Sequence, residues 1–189
     1  DTLPTDVEIT VRRSDFEAME ELLNAGESVE VEVDLDHRFS AGPIILSNTV
    51  AEIRGSEWPE QVVILSAHLD SWDGPGSLGT QDNGTGSSVM LEAARILMAA
   101  GAQPRRTIRF CLWTGEEQGL LGSKGYVDAL SEEQLSQISA VFVDDGGTNY
   151  QGGLVCIESM LPMLETAIAP AVGAFPDYDI LHVVRDSMP

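Results

Sequence analysis

Val62-Val63-Ile64-Leu65 is the most apolar run of the chain, and His68-Leu69-Asp70-Ser71-Trp72-Asp73 follows it directly. A short apolar run bounded by turn residues reads as a buried strand. This strand delivers a histidine, and two residues later a carboxylate, to a glycine-rich loop. An imidazole so placed can bind a metal, and the carboxylate can hold it in the required tautomer. Alone, His-x-Asp is a weak signal, because a satisfied surface histidine explains it equally well. The rest of the chain decides its weight.

The surrounding pattern is that of a layered α/β protein. Ser14-Asp15-Phe16-Glu17 reads as a capping box, and Phe16, Met19, Leu22 and Leu23 continue at helical spacing up to Gly26. Residues 29–35 alternate Val29, Val31, Val33 and Leu35 with acids, the pattern of a half-buried strand. A polar loop over 36–48, a strand over 48–54 and the buried strand 61–67 come next. From Asn83 the period turns helical, with Val89, Ala93, Ile96, Leu97 and Ala100 on one face and Gly101 as the C′ residue. Further strands are expected over 107–113, 140–143, 153–157 and 179–184. Helices are expected over 119–130, after Ser131, and over 160–172. Strands alternating with helices argue for an α/β layered sheet. The boundary between two regions falls between about 35 and 50, before that alternation begins.

Charge narrows the function. Asp and Glu total 31 against 10 Lys and Arg, a formal net charge of −21. Nucleic-acid binding needs clustered Lys and Arg, so that class is excluded, and an anionic membrane surface would repel the chain. An acidic excess of this size keeps a protein soluble at high salt, as in a marine or halophilic setting. No apolar run approaches the ~18 residues of a membrane span. The first residues carry no basic and apolar signal-peptide pattern, which a mature exported chain would lack as well, and a secreted or periplasmic location is expected. Cys111 and Cys156 each sit in an apolar strand-like run and read as buried free thiols.

In open α/β sheets, sites collect at the carboxyl ends of the strands. His68 and Asp70 occupy one such end. Asp82-Asn83-Gly84-Thr85-Gly86 opens a helix, Gly115-Glu116-Glu117 follows strand 107–113, and Asp144-Asp145-Gly146-Gly147 follows strand 140–143. Singly, these are ordinary features: a helix cap, first-turn acids and a turn. Together they set several carboxylates beside one histidine on one sheet edge. Such a hard nitrogen-and-oxygen donor set suits zinc, with manganese or cobalt as alternatives.

Four stretches then resemble family twenty-eight of the metallopeptidases, which are co-catalytic dizinc exopeptidases. They are His68-Leu69-Asp70-Ser71-Trp72-Asp73, Gln81-Asp82-Asn83-Gly84-Thr85-Gly86, Leu112-Trp113-Thr114-Gly115-Glu116-Glu117-Gln118-Gly119 and Asp145-Gly146-Gly147-Thr148. The tract Asn48 to Ser56, with Pro59-Glu60-Gln61-Val62-Val63, resembles the carboxypeptidase Q branch of that family. The resemblance implies a three-layer αβα sandwich with a mixed, mostly parallel sheet. It implies one zinc held by His68, bridging Asp82 and Asp145, and a second held by Asp82 and Glu117. Asp70 would orient His68. Glu116, kept off the metals, would be the general base toward a metal-bridging water. Asp145 is favoured over Asp144 because it precedes Gly-Gly-Thr, and Asp144 stays as the alternative.

The family also supplies a histidine from a loop well downstream, which neither His37 nor His182 matches. The expectation is therefore a C-terminally truncated catalytic domain over 48–189, complete for one metal and with two ligands for the other. Residues 1–47 would lead in from a protease-associated lid domain that this chain lacks. The implied partner is a peptide, cleaved at a terminal bond in the aminopeptidase, dipeptidase or carboxypeptidase manner. The alternatives are a single-zinc acyltransferase resembling glutaminyl cyclases and a non-catalytic relative.

Overall fold

A computed structural model describes residues 9–36, 42–72, 77–146, 153–171 and 182–185. The chain divides into two units, Asp1–Pro43 and Ile44–Pro189.

In the first unit, helix α1 spans Arg13–Asn24. The expected capping box does not form. The helix begins two residues early, with Arg12 as N-cap and no side-chain cap, so Ser14 already lies inside it. Its hydroxyl reaches Asp15 Oδ1 at 3.4 Å instead. Residues 29–35 form no strand, which corrects the expectation from their alternation. A strand needs a partner ladder as well as a pattern, and Val31, Val33 and Leu35 stand exposed without one.

The second unit is built on β1 (Thr49–Ile53), β2 (Trp58–His68), β3 (Arg106–Trp113) and β4 (Ile138–Val143). They form one sheet in the order β1-β3-β2-β4. β2 pairs in parallel with β3 and with β4, whereas β1 runs antiparallel to β3. The sheet is thus mixed and mostly parallel, as expected. β5 (Gly153–Cys156) and β6 (His182–Arg185) make a separate parallel pair.

Alternation along β2 and β3 sends side chains to two covered faces. On one face Val62, Ile64, Cys111 and Trp113 cluster with Tyr126 of α3 (Leu121–Asp128) and with Ile138. On the other, Leu65, Ala67 and Leu112 pack around Met90 of α2 (Thr85–Ala99). Helix, sheet and helix make three layers. The buried side of α2 differs from the one its periodicity suggested: Met90 is buried, while Val89 and Ile96 are exposed. The Ser87 hydroxyl donates to the His68 carbonyl at 2.8 Å and turns that side of the helix onto β2.

α4 (Glu132–Ser136) carries the Ser131 cap that the sequence announces, here a full capping box with Gln134. α5 spans Leu161–Ile168. A cavity of about 490 Å³ lies between β4, β5 and α5, lined by Phe142, Leu154, Cys156, Met160 and Leu164 among others. Cys111 and Cys156 are buried free thiols, and burial pushes the Cys111 thiol up to about 11. At neutral pH it stays protonated.

Candidate metal centre

Because β2, β3 and β4 run in parallel, their carboxyl ends share one edge of the sheet. His68 closes β2 opposite Trp113, the last residue of β3. The ladder carries on beyond both: Leu69 N–H donates to the Trp113 carbonyl at 2.7 Å, and Asp144 N–H to the Ser66 carbonyl at 2.9 Å. Register therefore brings the segments that carry Glu116, Glu117 and Asp145 to the histidine.

The His68 side chain is only 2 % exposed, and its two nitrogens face different partners. Nδ1 lies 3.0 Å from the Asp70 carbonyl oxygen. A carbonyl only accepts, so Nδ1 carries the proton and Nε2 keeps its lone pair for a metal. Around Nε2 stand Asp82 Oδ1 at 2.8 Å, Asp145 Oδ1 at 3.2 Å and Glu116 Oε2 at 3.9 Å. The Asp82 and Asp145 side chains are 58 % and 45 % exposed, so the group is walled behind the imidazole and open in front. Burial pulls the imidazole pKa down, but Asp145, the Asp70 carbonyl and Glu116 outweigh it and leave the pKa raised.

Asp70 does more than the sequence suggested. Its backbone carbonyl holds the imidazole, while its nearest carboxylate oxygen lies 3.7 Å from Nδ1. The carboxylate instead accepts from Glu116 N–H at 3.1 Å and from Glu117 N–H at 3.3 Å. Gly115 makes the turn that presents these two amides, with φ +68, a region that costs a residue with Cβ. Asn48 braces the same turn, accepting from Thr114 N–H at 3.2 Å and donating to the Gly122 carbonyl at 2.8 Å.

Although Glu116 and Glu117 are adjacent in sequence, one donor atom from each lies within 4.8 Å of the other and of His68. Asp70 fixes both amides on one side of the turn, and the two carboxylates end on the same side as well.

Two donor groups result among the described residues: His68, Asp82 and Asp145, and His68, Glu116 and Glu117. Asp145, rather than Asp144, enters the first. Glu117 Oε1 is buried without a hydrogen-bond partner. Burial raises the Glu117 carboxyl pKa, and nearby Asp82 and Glu116 raise it further. A cation is the natural counterpart of such an oxygen, and one imidazole nitrogen among carboxylates is a set that zinc accepts. The residues present fit that ion.

Asp73, Gly147, Thr148 and His37 lie outside the described residues. His182 opens β6 opposite Gly153. Three supporting residues escaped the sequence reading. Ser87 carries no sequence signal, and Asn48 and Asn83 stood within stretches that carry the resemblance without any role being assigned to them.

Comparison with known proteins places the chain in a family. Carboxypeptidase Q of Bos taurus is 36% identical over 185 residues, which is 93% of this chain and 38% of that protein. Carboxypeptidase Q of Xenopus laevis is 49% identical over 101 residues, or 53% of this chain and 21% of that protein. The chain thus spans well under half the length of these relatives. Among solved structures, a zinc aminopeptidase from Bacillus subtilis superposes with a TM-score of 0.59 at 30% identity. That match covers 73% of this chain and 34% of the other. Residues 48–172 match the sequence profile of peptidase family M28, a stretch that contains the whole candidate centre, and the chain belongs to that family.

Proposed function

We propose that the protein carrying this chain is a co-catalytic dizinc exopeptidase that hydrolyses a terminal peptide bond. The observation that carries the reading is the crowding of Asp82, Asp145 and Glu116 on His68 Nε2, beside a buried, unpartnered Glu117 oxygen. His68, Asp82 and Asp145 would hold one zinc, and Asp82 and Glu117 would contribute to a second. Bound zinc supplies Lewis acidity, polarising the scissile carbonyl and lowering the pKa of water.

The chain's own residues do the rest. The Asp70 carbonyl keeps His68 in the Nδ1–H tautomer. The Asp70 carboxylate holds the Glu116–Glu117 backbone in place. Glu116 takes a proton from the attacking water and hands it to the leaving amine. The exposed faces of Asp82 and Asp145 leave the centre open to a peptide terminus. Aminopeptidase, dipeptidase and carboxypeptidase action all use this chemistry. An acyltransferase is not favoured, since the relatives are carboxypeptidases and aminopeptidases by name. A secreted or periplasmic setting, like the peptide substrate, belongs to this reading.

The test is zinc content together with hydrolysis of dipeptides and aminoacyl anilides, for wild type and Glu116→Gln. The variant is expected to keep its zinc and to lose turnover by about 100- to 10,000-fold, the usual span of general acid–base catalysis. Normal turnover in the variant would show that Glu116 is not the base.

A further inference from the structure

Asn83 takes no part in the chemistry above, yet its side chain is among the largest fully buried ones of the described residues. A primary amide at such depth has to be satisfied at both ends. Its Oδ1 accepts from Gly86 N–H at 3.0 Å, and its Nδ2 donates to the Asp144 carbonyl at 2.8 Å. Only this orientation pairs both groups, since an amide proton needs an acceptor and a carbonyl needs a donor. Gly86 is part of the arrangement. A Cβ there would stand 2.3 Å from Asn83 Oδ1 and 2.3 Å from the Asp144 oxygen, so any side chain would drive them out of place.

The bridge spans two segments far apart in sequence, and each end adjoins a carboxylate of the centre. Asp82 precedes Asn83, and Asp145 follows Asp144. These two carboxylates approach His68 Nε2 from opposite segments.

We propose that Asn83 is a positioning residue: its amide bridge from Gly86 to Asp144 sets the spacing of Asp82 and Asp145 on His68, and with it the zinc affinity of that group. The inference rests on the metal reading given above. Serine would be too short to reach both partners. Aspartate has the right size, but would turn an acceptor toward the Asp144 carbonyl and repel the strand exit that carries Asp145.

The experiment measures zinc affinity by competition with a chromophoric chelator, starting from metal-free protein. It compares wild type, Asn83→Asp, Asp145→Asn and the double variant, with far-UV circular dichroism of each zinc-free form. Asn83→Asp is expected to bind the first zinc about 10- to 100-fold more weakly, the range for residues that orient metal ligands. In the Asp145→Asn background the same change is expected to cost little more, because it acts through Asp145. An unchanged affinity, or an equal loss in both backgrounds, overturns the proposal and leaves the metal reading intact. A wild-type protein that takes up no zinc overturns both. Should Asn83→Asp fail to fold, Asn83→Ser drops the Asp144 bond without adding a charge and takes its place in the same cycle.

Discussion

At Asp70 the carbonyl and the carboxylate serve different neighbours, the first the His68 ring and the second the Glu116 and Glu117 amides. Substitution can separate them. Asp70→Asn keeps the backbone bond to His68 but sets an NH2 group against one of the two amide protons. That loses one charge-assisted hydrogen bond and leaves a donor facing a donor, at a cost of about 1–3 kcal/mol to the glutamate turn. The expected outcome is retained zinc at His68, Asp82 and Asp145 with turnover reduced about 10- to 100-fold. Metal analysis alongside kcat and KM checks it. Loss of the first zinc would mean that the carboxylate, not the carbonyl, orients His68. Nothing in the residue order could have told these roles apart, because both belong to one amino acid and differ only in direction.

Among the elements, those whose pattern coincides with their packing were legible. β2 was expected over 61–67 and forms over Trp58–His68, because its apolar residues meet cover on both faces. The Ser131 cap and the Gly101 C′ turn, at φ 63, were equally readable, since each is a local device complete within a few residues. Residues 29–35 were misread because alternation specifies a face and not a partner. The face of α2 was misplaced because a long-range bond from Ser87 to β2, invisible in sequence, orients the helix. The same contrast predicts stability. Ile64→Ala, in a well-covered strand, is expected to lower unfolding stability by about 2–5 kcal/mol. Val33→Ala, in the exposed alternating segment, is expected to stay within about 0.5 kcal/mol of wild type. Urea denaturation midpoints of the two variants check the difference. Comparable losses would mean that residues 29–35 are covered by something in solution.

Over the whole molecule, acidity and exposed apolar surface oppose each other. β4 pairs with β2 on one side among the described residues, and Val141 and Val143 stand exposed along it, with Val155 on β5. An edge of that kind invites pairing between copies, which the net charge of −21 counters by mutual repulsion. The same excess of carboxylates sharpens selection at the centre. Acids are abundant throughout the chain, yet among the described residues those that meet the His68 imidazole are the ones that strand ends and the α2 entry carry to it.

These donors come from four separate stretches of chain: the end of β2, the entry to α2, the turn after β3 and the turn after β4. An ion held by all of them binds the folded chain and has no comparable site on the unfolded one. Binding is then linked to folding, with a stabilisation of RT ln(1 + [Zn]/Kd), about 2.7 kcal/mol when free zinc is a hundred times Kd. The melting temperature should climb with the logarithm of zinc concentration and fall on adding a chelator, as differential scanning calorimetry would record. A melting point indifferent to zinc would mean that the folded chain binds the ion no more tightly than the unfolded one. Heat resistance, on this view, is a property of the solution's metal content as much as of the sequence.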